Sequence, residues 1–238
     1  MTGPAAGLPK VLIVTGTDTG VGKTVTTAAL AAVLGGRRPA RARQVAVYKP
    51  TQTGVLPGEA GDIGVVTALT GVRSVSEGVR LPDPMAPVAA ADRAGVALPG
   101  LDRHLARVRQ SARGHDHVLV EGAGGVLVRL DRAGRTLADL AAALGPDAAV
   151  VVVCRSGLGA LNHTELTLEA LRRRQLRIAG LVIGSWPARP DGVDLSNRDY
   201  LAAMDVPLIG RIPEGAGLLG PGAFVDEAPG WFQSGLLE

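Results

Sequence analysis

The chain has 238 residues, 46% hydrophobic but only 3% aromatic, and carries a formal net charge of +3. That length suits one α/β domain with a full central sheet, and the scarcity of rings leaves its core to Val, Leu, Ile and Ala. Scattered arginines without a basic stripe or aromatic platforms argue against nucleic-acid binding, and no apolar run approaches the roughly 20 residues of a membrane-spanning helix.

The apolar run Val11-Leu12-Ile13-Val14 predicts a first strand over 10–15. It leads into Gly16-Thr17-Asp18-Thr19-Gly20-Val21-Gly22-Lys23-Thr24-Val25, and a helix is predicted over 23–34. A buried strand, a glycine loop and a Gly-Lys-Thr helix start present backbone N–H groups, an ammonium and a hydroxyl to a phosphate chain and its magnesium. Thr17 stands where the usual spacing has glycine, so this is a deviant phosphate loop.

A second strand is predicted over 44–49, ending in Tyr48-Lys49-Pro50-Thr51-Gln52-Thr53-Gly54, and helices over 61–70 and 100–112. Lys10, Lys23 and Lys49 are the only lysines among 25 basic residues. In so arginine-rich a chain, a lysine marks a place where a compact ammonium is wanted. A strand over 117–121 ends in Glu121-Gly122-Ala123-Gly124-Gly125. Strands at 148–154, 177–183 and 206–210 follow, with helices at 136–144, 160–175 and 196–204.

Unbroken Val/Leu/Ile strands alternating with helices predict a doubly wound, mostly parallel sheet, and the phosphate loop after its first strand makes it resemble the P-loop NTPases. Right-handed crossovers then bring the loops after the strands to one edge. The whole of 1–238 is read as one domain, with its core over about 10–213 and 214–238 wrapping the surface. Trp231-Phe232 reads as a core plug. Cys154, the sole cysteine, reads as a buried small residue, and His115-Asp116-His117 as an exposed turn. No secretory signal is recognised, so the expected location is cytoplasmic.

Magnesium takes hard oxygen ligands, commonly a hydroxyl and one or two carboxylates. Thr24 offers the hydroxyl and Glu121 one carboxylate, against the alternative of a solvated strand end. Asp62 serves either as the second carboxylate or as an ordinary helix N-cap.

The series Gly-Thr-Asp-Thr-x-Val-Gly-Lys-Thr, Tyr-Lys-Pro, Val-Glu-Gly-Ala-Gly-Gly and Leu-Asn-His (161–163) resembles, in order and spacing, that of the dethiobiotin synthetases. The resemblance runs from about residue 11 to 213. It implies a Mg2+-dependent ligase that joins CO2 to 7,8-diaminononanoate at the expense of ATP, CTP or another nucleoside triphosphate. In that reading Lys23 holds the β/γ-phosphates, Lys49 sits between carbamate and γ-phosphate, Thr19 touches the transferring group and Thr53 touches substrate. Gly159, Ala160, Leu161 and Asn162 open a helix that takes the substrate carboxylate across a homodimer, although Asn162 also reads as a plain cap.

Family members often carry Asn-Asp where this chain has Gly184-Ser185, so relaxed base discrimination is expected. Ile212, Pro213 and Glu214 are expected on the other side of the base. The competing reading is a partitioning or septum-placing P-loop switch ATPase, which acts through dimerisation and partner binding. Such proteins usually carry an early second lysine, and this loop has Thr17-Asp18-Thr19 there.

Overall fold

Strand β1 (Val11–Gly16) is buried along its entire length, and its side chains are shared between two cores. Val11 and Ile13 join one, Leu12 and Val14 the other, as the two-residue period of a strand requires. The same alternation recurs in Val118, Leu119 and Val120, and again in Val150 to Val153. This is why the strands read as unbroken apolar runs.

The computed structural model describes residues 8–36 and 44–234. Its seven strands form one parallel sheet in the order β3-β2-β4-β1-β5-β6-β7. They are β1, β2 (Val45–Thr53), β3 (Val75–Leu81), β4 (His117–Gly125), β5 (Ala148–Cys154), β6 (Ile178–Trp186) and β7 (Leu208–Pro213). Helices α1 (Lys23–Gly35), α2 (Asp62–Thr70) and a C-terminal helix, numbered α8 below, cover one face. α4 (Leu101–Gly114), α5 (Leu137–Leu144), α6 (Ala160–Arg173) and α7 (Gly192–Ala202) cover the other, and α3 (Pro87–Ala94) packs with the end of β3. No helix among the described residues is long and apolar enough to cross a membrane.

The doubly wound parallel sheet is as expected, and six of its strands and six of its helices fall near their predicted places. Three elements are additions. β3 is only partly buried until Leu81, so it lacks a clear apolar run. α3 opens on Pro87 and is eight residues long.

The third is α8 (Pro221–Glu227), a helix with no clear signal in the sequence, which anchors the segment after 213 to the core. Phe224 is fully buried, Ala228 and Phe232 pack in the same core, and Phe224 meets Trp231 edge to face at 5.1 Å. Phe232 thus plugs the core as expected; residues 235–238 lie outside the described residues. α7 begins earlier than predicted because Asp191 and Asp194 form a reciprocal capping box. His117 is buried at the start of β4 rather than exposed in a turn. Cys154 is buried, and that burial pushes its thiol up to about 12.

β2 also differs. It continues past Lys49 to Thr53 because β3 pairs with it there, Lys49 with Glu77, Thr51 with Val79 and Thr53 with Leu81. Pro50 is tolerated because the pairing of β2 with β4 already stops at Tyr48.

Candidate active site

The strand order decides what meets what. β4 lies between β2 and β1, so the loops that follow these three strands are neighbours at the carboxyl edge. Register then aligns them: Val14 stands opposite Glu121, and Tyr48 opposite Val120.

The result is a cleft of about 500 Å³. Among the residues expected to bind ligands, Thr19, Gly20, Gly22, Lys23, Thr24, Val25, Lys49, Thr53, Asp62, Glu121, Ala123 and Gly124 line it. Gly122 is at its wall, where its carbonyl accepts from Lys49 Nζ at 3.1 Å.

Lys49 is the centre of the polar network, 3% exposed. Its ammonium donates to Glu121 Oε1 at 2.8 Å and forms an ion pair with Asp62. Thr24 Oγ1 donates to the same Glu121 oxygen at 2.9 Å. Burial works against the charge on Lys49, but Glu121 and Asp62 outweigh it and hold the ammonium's pKa above its usual value. Glu121, 1% exposed, is raised by its burial and by Asp62, with Lys49 and Thr24 pulling the other way. Asp62 is opposed by burial yet lowered by Lys49. Lys23 is lowered by burial and by repulsion from Lys49, so two ammonium groups already share this small space.

The donor set fits a magnesium ion. Among the described residues Glu121 Oε2 is buried without a partner, a carboxylate oxygen left for a ligand. It lies with the Thr24 hydroxyl and the Asp62 carboxylate in one cleft. These are hard oxygens, too few to saturate the ion, which leaves positions for phosphate oxygens and water.

The phosphate loop is shaped by two glycines. Gly22 has φ 92° and caps α1 in the left-handed region. A Cβ there would lie 2.2 Å from the Gly184 carbonyl oxygen, and one on Gly184 would lie 2.0 Å from that of Val21. The loop and the end of β6 therefore touch backbone to backbone. Val21 itself packs its side chain into the core. Lys23 Nζ donates to the Asp18 carbonyl at 2.8 Å, and Arg155 Nη2 to the Asp18 carboxylate at 2.8 Å.

The remaining expected residues lie outside the cleft. Ser185, Pro213 and Glu214 are exposed at the ends of β6 and β7, where Glu214 N donates to the Trp186 carbonyl at 2.8 Å. Ile212 turns its side chain into the core on the α1 side, where it is fully buried. Gly159, Ala160, Leu161 and Asn162 open α6 and do not line this cleft. Gly159 is the N-cap, in the left-handed region and without a side-chain cap, so Asn162 is not the cap that its sequence position allowed.

Two cleft residues were not anticipated as ligand contacts. Gln52 accepts from the Asp62 backbone N–H at 2.8 Å and so anchors the start of α2. Thr51 lies between Lys49 and Thr53 on the strand. The signal for Thr51 was the alternation Lys49, Thr51, Thr53, hidden while the strand was thought to end at 49.

A family model described as an AAA domain matches residues 10–221. The "ATP-dependent dethiobiotin synthetase BioD" of Frankia casuarinae is 55% identical, over 87% of this chain and 85% of its own length. That of Rhodococcus jostii is 51% identical over 96% of both. The chain belongs to the dethiobiotin synthetase family. Among solved structures, a ParA family ATPase from Chlorobium tepidum is similar at a TM-score of 0.57, with 14% identity over 98% of this chain and 95% of that one. At that identity the likeness is one of fold, and the switch-ATPase reading gains nothing beyond it.

Proposed function

We propose that the chain is a Mg2+-dependent dethiobiotin synthetase that closes 7,8-diaminononanoate and CO2 into a cyclic urea, driven by a nucleoside triphosphate. The observation that carries the reading is Lys49, a buried ammonium set against Glu121, Asp62 and the Gly122 carbonyl beside the phosphate loop. Two anions, a carbamate and a triphosphate, must meet in line, and gathered cations make that possible.

One substrate amine adds to CO2 and loses a proton, giving a carbamate. A carbamate oxygen then attacks the γ-phosphorus while the bond to the β-phosphate oxygen breaks, releasing nucleoside diphosphate. The second amine attacks the carbamoyl carbon, closes the ring, loses a proton and expels phosphate. No protein nucleophile is needed in this sequence.

Lys23 holds the β/γ-phosphates and Lys49 bridges carbamate and γ-phosphate. Thr19 reaches the transferring group from the phosphate loop, and Thr53 contacts substrate. Thr24, Asp62 and Glu121 would hold magnesium, which supplies neutralisation of phosphate charge when bound. The first turn of α6, with its N–H groups free of a side-chain cap, suits the substrate carboxylate of a partner subunit's site. Exposed Leu127, Leu158 and Leu166 near α6 offer apolar surface for that homodimer.

Purified protein with Mg2+ and ATP is expected to release phosphate only when diamine and bicarbonate are both present, with dethiobiotin as product. Release indifferent to the diamine would return the chain to the switch ATPases.

Base choice is expected to be loose. Gly184 has no side chain and no room for one, and the guanidinium groups of Arg198 and Arg211 lie over the Trp186 ring, at 5.8 and 5.5 Å from its centre. A site without a hydrogen-bonding reader discriminates weakly, so kcat/KM for ATP, CTP, GTP and UTP should agree within about tenfold. Side-by-side kinetics check this, and a hundredfold preference for ATP would refute it.

A further inference from the structure

Lys49, Thr51 and Thr53 form a row along β2, and all three line the cleft. Alternate side chains of a strand share one face, about 6.5–7 Å apart. The middle member is the unusual one. Thr51 is 1% exposed, and its hydroxyl has neither donor nor acceptor partner among the described residues.

An unpartnered buried hydroxyl lowers stability, and a valine of the same shape avoids that cost. Apart from Glu121 Oε2, reserved above for a metal, the neighbouring polar groups that have partners are committed to one another. Gln52 accepts from Asp62 N and donates to the Thr53 carbonyl at 3.1 Å. Glu121 Oε1 already takes Lys49 and Thr24, and Asp62 takes Lys49.

The chemistry asks for an acceptor of this kind. The amine that closes the ring must be neutral, since an ammonium has no lone pair with which to attack. A carboxylate beside it would favour the ammonium. A hydroxyl can accept one N–H, orienting the nitrogen, without the negative charge by which a carboxylate favours the protonated form. Turning the Thr51 side chain about its Cα–Cβ bond exchanges hydroxyl and methyl without moving the backbone.

We propose that Thr51 determines substrate recognition: its hydroxyl accepts a hydrogen bond from an amine of the vicinal diamine, alongside Lys49 on the carbamate. This rests on the synthetase reading. Calorimetric titration of 7,8-diaminononanoate into the protein holding Mg2+ and a non-hydrolysable triphosphate tests it, using wild type, Thr51→Val and Thr51→Ser.

The valine variant is expected to bind the diamine about tenfold more weakly, one hydrogen bond's worth. Its triphosphate affinity and melting temperature should be no lower than those of wild type, and serine should keep the diamine affinity. A valine variant that binds diamine like wild type overturns the inference alone. So does a serine variant as weak as valine, because the methyl would then be the group that matters. A wild-type protein that binds no diamine overturns the synthetase reading and this inference with it.

Discussion

Replacing Lys49 by alanine is expected to lower the single-turnover rate of phosphate transfer by at least about 10²–10³-fold, the usual loss when a preorganised charge is removed from a closed site. The reason is geometric. The ammonium is 3% exposed and held by Glu121 Oε1 at 2.8 Å, the Gly122 carbonyl at 3.1 Å and Asp62. Water entering in its place brings no fixed charge. Glu121 and Asp62 would also face each other without their shared cation, and orphaning a buried charge costs about 3–5 kcal/mol before protonation relieves it.

The variant should therefore melt lower, so the rate is to be compared at a temperature where circular dichroism shows both proteins folded. Lys49→Arg separates charge from shape. A planar guanidinium cannot occupy the place of a compact ammonium in contact with three oxygens, so arginine should recover little of the rate. Near-normal turnover in the folded alanine variant would remove Lys49 from the chemistry.

Gly22→Ala should act on the other half of the site. At φ 92° an alanine pays about 1–2 kcal/mol for the left-handed conformation. Its Cβ would also lie 2.2 Å from the Gly184 oxygen and 2.7 Å from the Gly184 carbonyl carbon, backbone atoms that cannot swing aside as a side chain can. Overpacking of that kind costs a further 1–3 kcal/mol or about that. The loop must lift from β6, which moves its N–H groups and Lys23 away from where the phosphates sit.

The expected result is a triphosphate Kd raised at least about tenfold and a melting temperature several degrees lower, at about 2–4 °C per kcal/mol for a chain of this size. Nucleotide titration and thermal melts measure the two parts. Wild-type values in both would mean that loop and strand separate freely, and that their close approach does not shape the site.

Much of this was legible before any coordinates. Glycines, lysine and threonine between an apolar strand and an alanine-rich helix spell a phosphate loop, because each local need has a residue type that meets it. Glu121 and Lys49 could be singled out as polar residues at the ends of apolar strands. Gly184 was legible only as a departure from a pattern; that it is pressed against the Val21 carbonyl was not. That the Ile212 side chain lies in the core was not legible, because a strand's last residues alternate between core and loop, and only packing tells which face each one takes.

Short-range chemistry alone dictates the parallel α/β class, the phosphate loop, and the residue types that can hold phosphate and magnesium. Tertiary structure decided which of them meet. β4 inserted between β1 and β2 sets Glu121 beside Lys49, residues 72 apart in the chain. β3, too polar to be read as a strand, supplies the pairing that carries β2 on to Thr53. That pairing places Thr51 in the cleft wall, because the direction a side chain faces is set by the partner strand's hydrogen bonds and not by its own neighbours in sequence.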